Sequence, residues 1–256
     1  MDLQIKNHLF IAGGATSGFG KAIAEALLQE GAQVIVVARG ADKLKAIYGN
    51  QPNATIVEGD ITLASTIEQL KNIIGDRPLH GMLVNAGGPP AKMVLETTLE
   101  DWDDAYQKIL RWKVAITQTF VPAMMKAGYG RILYIESSSV KQPIENLVLS
   151  NSLRLAVTGM VKTLSQEIAR SGVTLNILGP GSHNTPAIDR LYHKKSEQTG
   201  LPFDEVKKAA INQIPVGALG EAADFASLAL WLLSPQSRYV TGQTITVDGG
   251  MIKGTL

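Results

Sequence analysis

His8-Leu-Phe-Ile-Ala12 runs directly into Gly13-Gly-Ala-Thr-Ser-Gly-Phe-Gly20, and a helix-forming stretch follows from Gly20 to about Glu30. An apolar strand, a glycine-rich turn and a helix in that order build a site for phosphate. Glycines let the backbone approach phosphate oxygens, and the helix N-terminus offers unpaired N–H groups at the positive end of its dipole. The spacing is Gly14-x3-Gly18-x-Gly20. It is neither the G-x-G-x-x-G fingerprint nor a Walker loop, which requires Gly-Lys-Ser/Thr. A glycine cluster alone reads equally well as a tight turn. The strand before it and the helix after it favour phosphate.

The remainder of the chain repeats the alternation. Val34–Ala38 is a continuous apolar run, which suits a strand buried on both faces of a parallel sheet. Further strands are predicted at 55–58, 81–85, 131–136, 174–178 and 244–247. Helices are predicted at 66–74, 101–127, 151–170 and 222–233. With the first strand this gives seven, and the pattern predicts a Rossmann-type, doubly wound parallel α/β sheet in one domain over 1–256. Residues 182–214 break the rhythm with polar, helical sequence and no strand. Lying after the sixth strand, this insertion is placed over the carboxyl edge of the sheet, where such folds bind ligands, and is read as a substrate lid.

Composition excludes several classes of function. There is no cysteine, which removes disulfides, thiolate metal sites and a cysteine nucleophile together. The four histidines, at 8, 80, 183 and 193, are scattered, so no metal site is expected. A net charge of +1 gives no reason to expect nucleic acid or an anionic membrane as partner. Apolar runs are too short to cross a bilayer, and Met1–Phe10 lacks the features of a secretory signal. The expectation is a cytoplasmic protein acting on a small molecule.

The motifs resemble those of the short-chain dehydrogenase/reductases, over the whole length. That family uses Thr-Gly-x3-Gly-x-Gly, and here Gly13 stands in the place of the Thr. Asp60, followed by Ile61, matches its adenine-contacting Asp, and Asn85-Ala86-Gly87 matches the end of its Asn-Asn-Ala-Gly segment. Asn176 to Gly181, with Pro180, and Thr185 match the segment that holds the nicotinamide. Tyr239 to Gly250 matches the C-terminal strand. The resemblance implies a dinucleotide held by Gly14, Thr16, Ser17, Gly18, Phe19, Gly20, Asp60, Ile61, Asn85, Ala86, Gly87, Pro180, Gly181 and Thr185. It is greatest to the 3-oxoacyl-carrier-protein reductase-like branch, and it implies a homo-oligomer, tetramer or dimer, formed through the longest helices and the last strand. NAD enzymes usually end the second strand with a carboxylate for the ribose 2′-hydroxyl. This chain has Ala38 and then Arg39, and a guanidinium pairs with a 2′-phosphate, so NADP(H) is favoured over NAD(H).

The catalytic motif departs from the family. Its members use Ser, Tyr-x3-Lys and an Asn, but no Tyr-x3-Lys exists in this chain. Aligning the fifth strand places Ser137 on the catalytic Ser; thirteen residues later stands Ser150 for the Tyr, and four further Arg154 for the Lys. Ile109 falls on the Asn. A serine hydroxyl is a far weaker acid than a phenol of pKa about 10, and an arginine stays protonated at any working pH. Arg154 can still bond ribose hydroxyls and stabilise an oxyanion. Candidate proton donors are His183, Tyr134, Glu136, Lys141 and His193, with Glu136 equally suited to an ion pair with Lys141 or Arg154.

Two readings follow. One is an NADP(H)-dependent oxidoreductase with a modified site, in which Ser137, Ser150 and Arg154 serve a ketone or 3-oxoacyl carbonyl, or the matching alcohol. The other is a catalytically inactive dinucleotide-binding homologue that acts as a sensor or a partner subunit. Lys194-Lys195 and Lys207-Lys208 read as solvated faces rather than a carrier-protein dock, and Leu191, Tyr192, Leu201 and Phe203 give the lid a mixed character.

Overall fold

The computed structural model describes residues 2–255. Seven strands form one parallel sheet: β1 (Leu9–Gly13), β2 (Gln33–Ala38), β3 (Ala54–Glu58), β4 (Gly81–Val84), β5 (Gly130–Ile135), β6 (Val173–Pro180) and β7 (Thr244–Val247). Their order in the sheet is β3-β2-β1-β4-β5-β6-β7. Successive side chains of a strand point to opposite faces. In β1, Leu9 and Ile11 therefore enter one apolar cluster and Phe10 and Ala12 the other. Burial on both faces explains why the central strands β1, β2 and β4 read as nearly unbroken apolar runs, whereas β3 and β7 at the sheet edges are only partly buried.

Two helical layers cover the sheet. On one face pack α1 (Gly18–Gln29), α2 (Ala41–Tyr48) and α9 (Ala222–Leu233). On the other lie α3 (Ala64–Ile74), α5 (Trp112–Ala127) and α6 (Val148–Glu167). The sequence reading did not identify α2, a short helix that buries only Leu44 and Tyr48. The single helix predicted at 101–127 is divided. An α-helix, α4 (Leu99–Tyr106), gives way to a π turn over Gln107–Arg111 before α5 begins. Such turns add a residue to one helical turn and frequently mark functional sites. The insertion folds as α7 (Pro186–Thr199) and α8 (Phe203–Ile211), which pack on each other.

The strand order reverses direction between β1 and β4. Ligands of open α/β sheets bind beyond the carboxyl ends of the strands at such a switch point. The glycine-rich turn after β1 and Asn85 after β4 meet there. Ala226 and Leu230 of α9 are buried within the chain, in the face of the core that α9 shares with α1. Among the described residues, no helix is long and apolar enough to cross a membrane, and no cluster of His, Asp or Glu is arranged to hold a metal ion.

Candidate active site

The cofactor end is built from backbone. Gly14 and Gly18 have φ of +67° and +53°, the left-handed region that disfavours any side chain. A Cβ on Gly20 would lie 2.4 Å from the Gly14 carbonyl oxygen, and one on Gly14 would lie 2.7 Å from Asn85 Nδ2. The Asn85 amide donates to the Gly13 carbonyl at 3.2 Å, which ties the two loops across the switch point. A Cβ on Gly13 would stand 2.6 Å from the Asn85 carbonyl oxygen and 2.9 Å from Ile61 Cδ1. A side chain at this position would have to displace Asn85 or Ile61.

The first turn of α1 has no side-chain cap: Ser17 is extended and exposed, and its hydroxyl makes no capping bond. The free N–H groups at this terminus suit an anion. Thr16 and Phe19 are partly buried beside it. Arg39 is exposed at the end of β2. Asp60 Oδ1 accepts from Thr62 N (3.0 Å) and Oγ1 (2.7 Å), fixing the turn after β3. Pro180 ends β6, Gly181 N donates to Val247 O, and a Cβ on Gly181 would strike Asp248. Thr185 is buried, with its methyl 3.7 Å from where a Cβ of Gly18 would sit. Ala86 and Gly87 follow β4 in the same cleft rim. A glycine cradle that any Cβ would fill, beside an uncapped helix terminus, fits a dinucleotide pyrophosphate.

The catalytic end is built from side chains. Ser150 and Arg154 occupy the buried stripe of α6 with Val157 and Val161, at the i, i+4, i+7 spacing that keeps one helix face inward. Arg154 Nε donates to Ser150 Oγ at 3.0 Å. Its Nη1 donates to Glu136 Oε2 at 3.0 Å and reaches Ile135 O at 3.4 Å. Nη2 makes no protein hydrogen bond among the described residues and lies 3.3 Å from where a Cβ of Gly88 would be. Arg154 therefore presents a free N–H edge to the loop after β4. Ser137 Oγ accepts from Ser139 N at 3.1 Å, so its own proton remains free to be donated.

One buried cation beside the candidate site escaped the sequence reading. Lys113, in the first turn of α5, is 2% exposed, and its Nζ pairs with Glu136 Oε1. It lies four residues after Ile109 in a stripe with Ile116, Thr117 and Phe120, all buried. A lysine inside an apolar stripe was the available signal. Glu136 thus holds two cations, Lys113 and Arg154, while Lys141, the other partner considered for it, is exposed. Burial lowers the pKa of Lys113 to about 8, against the attraction of Glu136 and with the repulsion of Arg154.

The other proton-donor candidates are placed elsewhere. His183 is buried edge-on to Phe19 and Phe225, with Nδ1 3.1 Å from Gly181 O, where it packs rather than faces the cleft. Tyr134 is fully buried and bonded to Thr117 Oγ1 at 2.6 Å, and burial pushes its phenol pKa up. His193 is exposed and stacks on Phe203. Ile109 is buried in the core. It lies within the π turn over Gln107–Arg111.

A glycine cradle at the switch point of a β3-β2-β1-β4-β5-β6-β7 sheet, with serines and a cation after β5 and on α6, defines a dinucleotide-binding oxidoreductase fold. A family model described as Enoyl-(Acyl carrier protein) reductase matches residues 14–252. The chain belongs to the short-chain dehydrogenase/reductase family and is similar to its FabG-like branch. It is 33% identical to the 3-oxoacyl-[acyl-carrier-protein] reductase FabG of Rickettsia felis, covering 98% of this chain and 99% of that one. The Haemophilus influenzae FabG is 30% identical, over 96% and 99%. Among solved structures, an actinorhodin polyketide ketoreductase with NADPH superposes with a TM-score of 0.91 at 28% identity, over 97% and 98% of the two chains.

Proposed function

We propose that this protein is an NADP(H)-dependent oxidoreductase that reduces a ketone or 3-oxoacyl carbonyl, or oxidises the matching alcohol, and in which Ser150 and Arg154 replace the Tyr and Lys. The observation that carries the proposal is the free Nη2 edge of Arg154, fixed by Ser150 and Glu136 and facing Gly88. The NADPH found in the actinorhodin ketoreductase structure supports the cofactor, as does the end of β2, which is Ala38 followed by Arg39 rather than a carboxylate.

The residues suggest a division of labour. Gly14, Thr16, Ser17, Gly18, Phe19 and Gly20 hold the pyrophosphate, Arg39 the 2′-phosphate, and Asp60 and Ile61 the adenine. Asn85, Ala86, Gly87, Arg154, Pro180, Gly181 and Thr185 hold the nicotinamide end, and the nicotinamide, when bound, supplies the hydride. Negative charge grows on the carbonyl oxygen as its carbon is reduced. Arg154 Nη2 meets that charge as a charge-assisted donor. Ser150 Oγ already accepts from Arg154, so its proton is directed to another acceptor, and Ser137 is in the same position. Three preorganised donors of this kind stabilise an oxyanion without a phenol. Solvent then supplies the last proton.

The lid and an apolar groove support an extended substrate. Lys194 Nζ of α7 donates to Ala91 O at 3.2 Å, bridging the insertion to the cleft loop. A groove of about 570 Å³, lined by Met93, Val94, Ile144 and Val148 together with Glu145 and Asn151, opens at the start of α6. Exposed Leu99 and Tyr106 of α4 and Leu155 of α6 support a homo-oligomer through these helices. The test is steady-state NADPH oxidation against a panel of ketones and 3-oxoacyl thioesters. Turnover supports the reductase. The burial of Tyr134 and Ile109 leaves the family's proton relay without its parts, which favours the second reading, a ligand-binding homologue, should NADPH bind tightly with no substrate turned over.

A further inference from the structure

Deep to the serines lies a charge cluster whose members come from three elements. Lys113 stands on α5, Glu136 at the end of β5 and Arg154 on α6, and none is more than 8% exposed. Each oxygen of the carboxylate takes a different cation: Oε1 pairs with Lys113 and Oε2 with Arg154 at 3.0 Å. Two cations against one carboxylate leave one buried positive charge in excess. Such a charge is costly unless an anion meets it. Arg154 Nη2, at the loop after β4, is the nitrogen of the cluster that makes no protein hydrogen bond among the described residues, whereas Lys113 Nζ is held by Glu136.

We propose that Lys113 is a positioning residue for the reaction: it occupies one oxygen of Glu136, so that Arg154 is oriented but not neutralised and directs a net positive charge at the substrate oxygen. This inference rests on the reductase reading and deepens it. Without Lys113, both carboxylate oxygens turn to Arg154, its charge is cancelled and its free edge is drawn away from Gly88. With Lys113 protonated, the cluster is completed only when an oxyanion forms in front of it. Stabilisation is then selective for the transition state, where it accelerates the reaction.

The cluster also gives this charge a switch. Burial brings the Lys113 ammonium down to about 8, opposed by Glu136 and aided by Arg154. The groups that face it are Glu136 just after β5, Arg154 from α6, the Trp112 ring 5.7 Å from Nζ, and the uncharged Thr117–Tyr134 pair, whose Thr117 Oγ1 donates to the Lys113 carbonyl. Loss of the Lys113 proton lets Glu136 neutralise Arg154. Reduction therefore slows as the pH rises through about 8.

The experiment compares the wild type with Lys113→Arg and Lys113→Met by two readouts. The first is NMR titration of side-chain-labelled lysines without substrate. The Lys113 resonance, assigned by its loss in both variants, is expected to titrate near 8 and to move upward by about one unit in Arg154→Gln, because the repelling cation is gone. The second is the pH profile of kcat/KM for the best carbonyl substrate. Lys113→Met is expected to lose roughly tenfold or more in kcat with little change in KM, and to lose the alkaline limb. Lys113→Arg, charged throughout, is expected to retain most of the rate with the limb moved to higher pH. Identical profiles in all three proteins, or no response of the Lys113 titration to Arg154→Gln, overturn the inference. If Lys113→Met does not fold, the Lys113→Arg profile and the wild-type titration still decide it. Coupled titration with no turnover on any carbonyl supports the charge coupling and rejects the reductase reading.

Discussion

The two ends of the cleft are made of different materials. At the cofactor end the decisive features are absent side chains: Gly13, Gly14 and Gly20 each stand where a Cβ would press on backbone or on Asn85. At the other end they are buried charges, Lys113, Glu136 and Arg154, held by one another. A cradle of backbone tolerates almost no substitution, because its shape is the shape of the chain. A centre of side chains can change while the sheet beneath keeps its form, and the proposal places Ser150 and Arg154 where the family has Tyr and Lys. On that proposal, binding and chemistry are separable in this fold.

The largest expected effect comes from breaking the charged end. Glu136→Gln leaves Lys113 and Arg154 facing each other without their carboxylate, and removal of one partner from a buried ionic set costs about 3–5 kcal/mol. Urea unfolding should show that loss; a change below about 1 kcal/mol would mean that the cluster is better solvated than its burial indicates. Next is the cradle. Gly14→Ala forces a side chain into a backbone with φ of +67° and into Asn85 Nδ2, and is expected to weaken NADPH binding by roughly a hundredfold in calorimetry. Unchanged affinity would show that the pyrophosphate does not sit on this loop. A smaller effect belongs to Arg39→Ala, expected to weaken NADPH by about tenfold and NADH hardly at all. Equal losses for both would remove the 2′-phosphate from the account.

How much of this was legible in the sequence follows the same division. The glycine spacing, the apolar runs of β1 and β2 and the alternation of elements are local constraints, and each marks its own stretch of chain. Ser137, Ser150 and Arg154 were found through family spacing, and the pairing of Arg154 with Glu136 was one of two considered. Lys113 was missed because its role is a contact 23 residues away in the chain, between a helix and a strand end. Its place in an apolar stripe flagged burial, but nothing local named its partner. His183 misled for the converse reason. It lies in the nicotinamide segment, yet its ring is taken by Phe19 and Phe225.

The smallest expected effect lies at the opposite edge of the sheet and serves as a control. His80 stacks on His8 at 4.1 Å and accepts the Leu9 N–H at Nδ1, so the fold favours its neutral form. Burial, then repulsion from His8, bring its pKa from 6.5 to about 4. A base depressed in this way binds more protons when unfolded. Its contribution to stability is thus complete above about 6.5 and lost as the pH falls toward 4. Melting temperature should fall over that window, and His80→Asn, which keeps an acceptor for Leu9, should make the fall shallower. Cofactor affinity should not change.

The separation of binding from chemistry is tested most directly by Arg154→Met in single-turnover stopped flow, with NADPH affinity measured on the same protein. The account predicts that NADPH still binds within about tenfold of the wild type while hydride transfer to the carbonyl slows by a hundredfold or more. Wild-type rates of hydride transfer in the variant, or a loss of binding as large as the loss of rate, would contradict it.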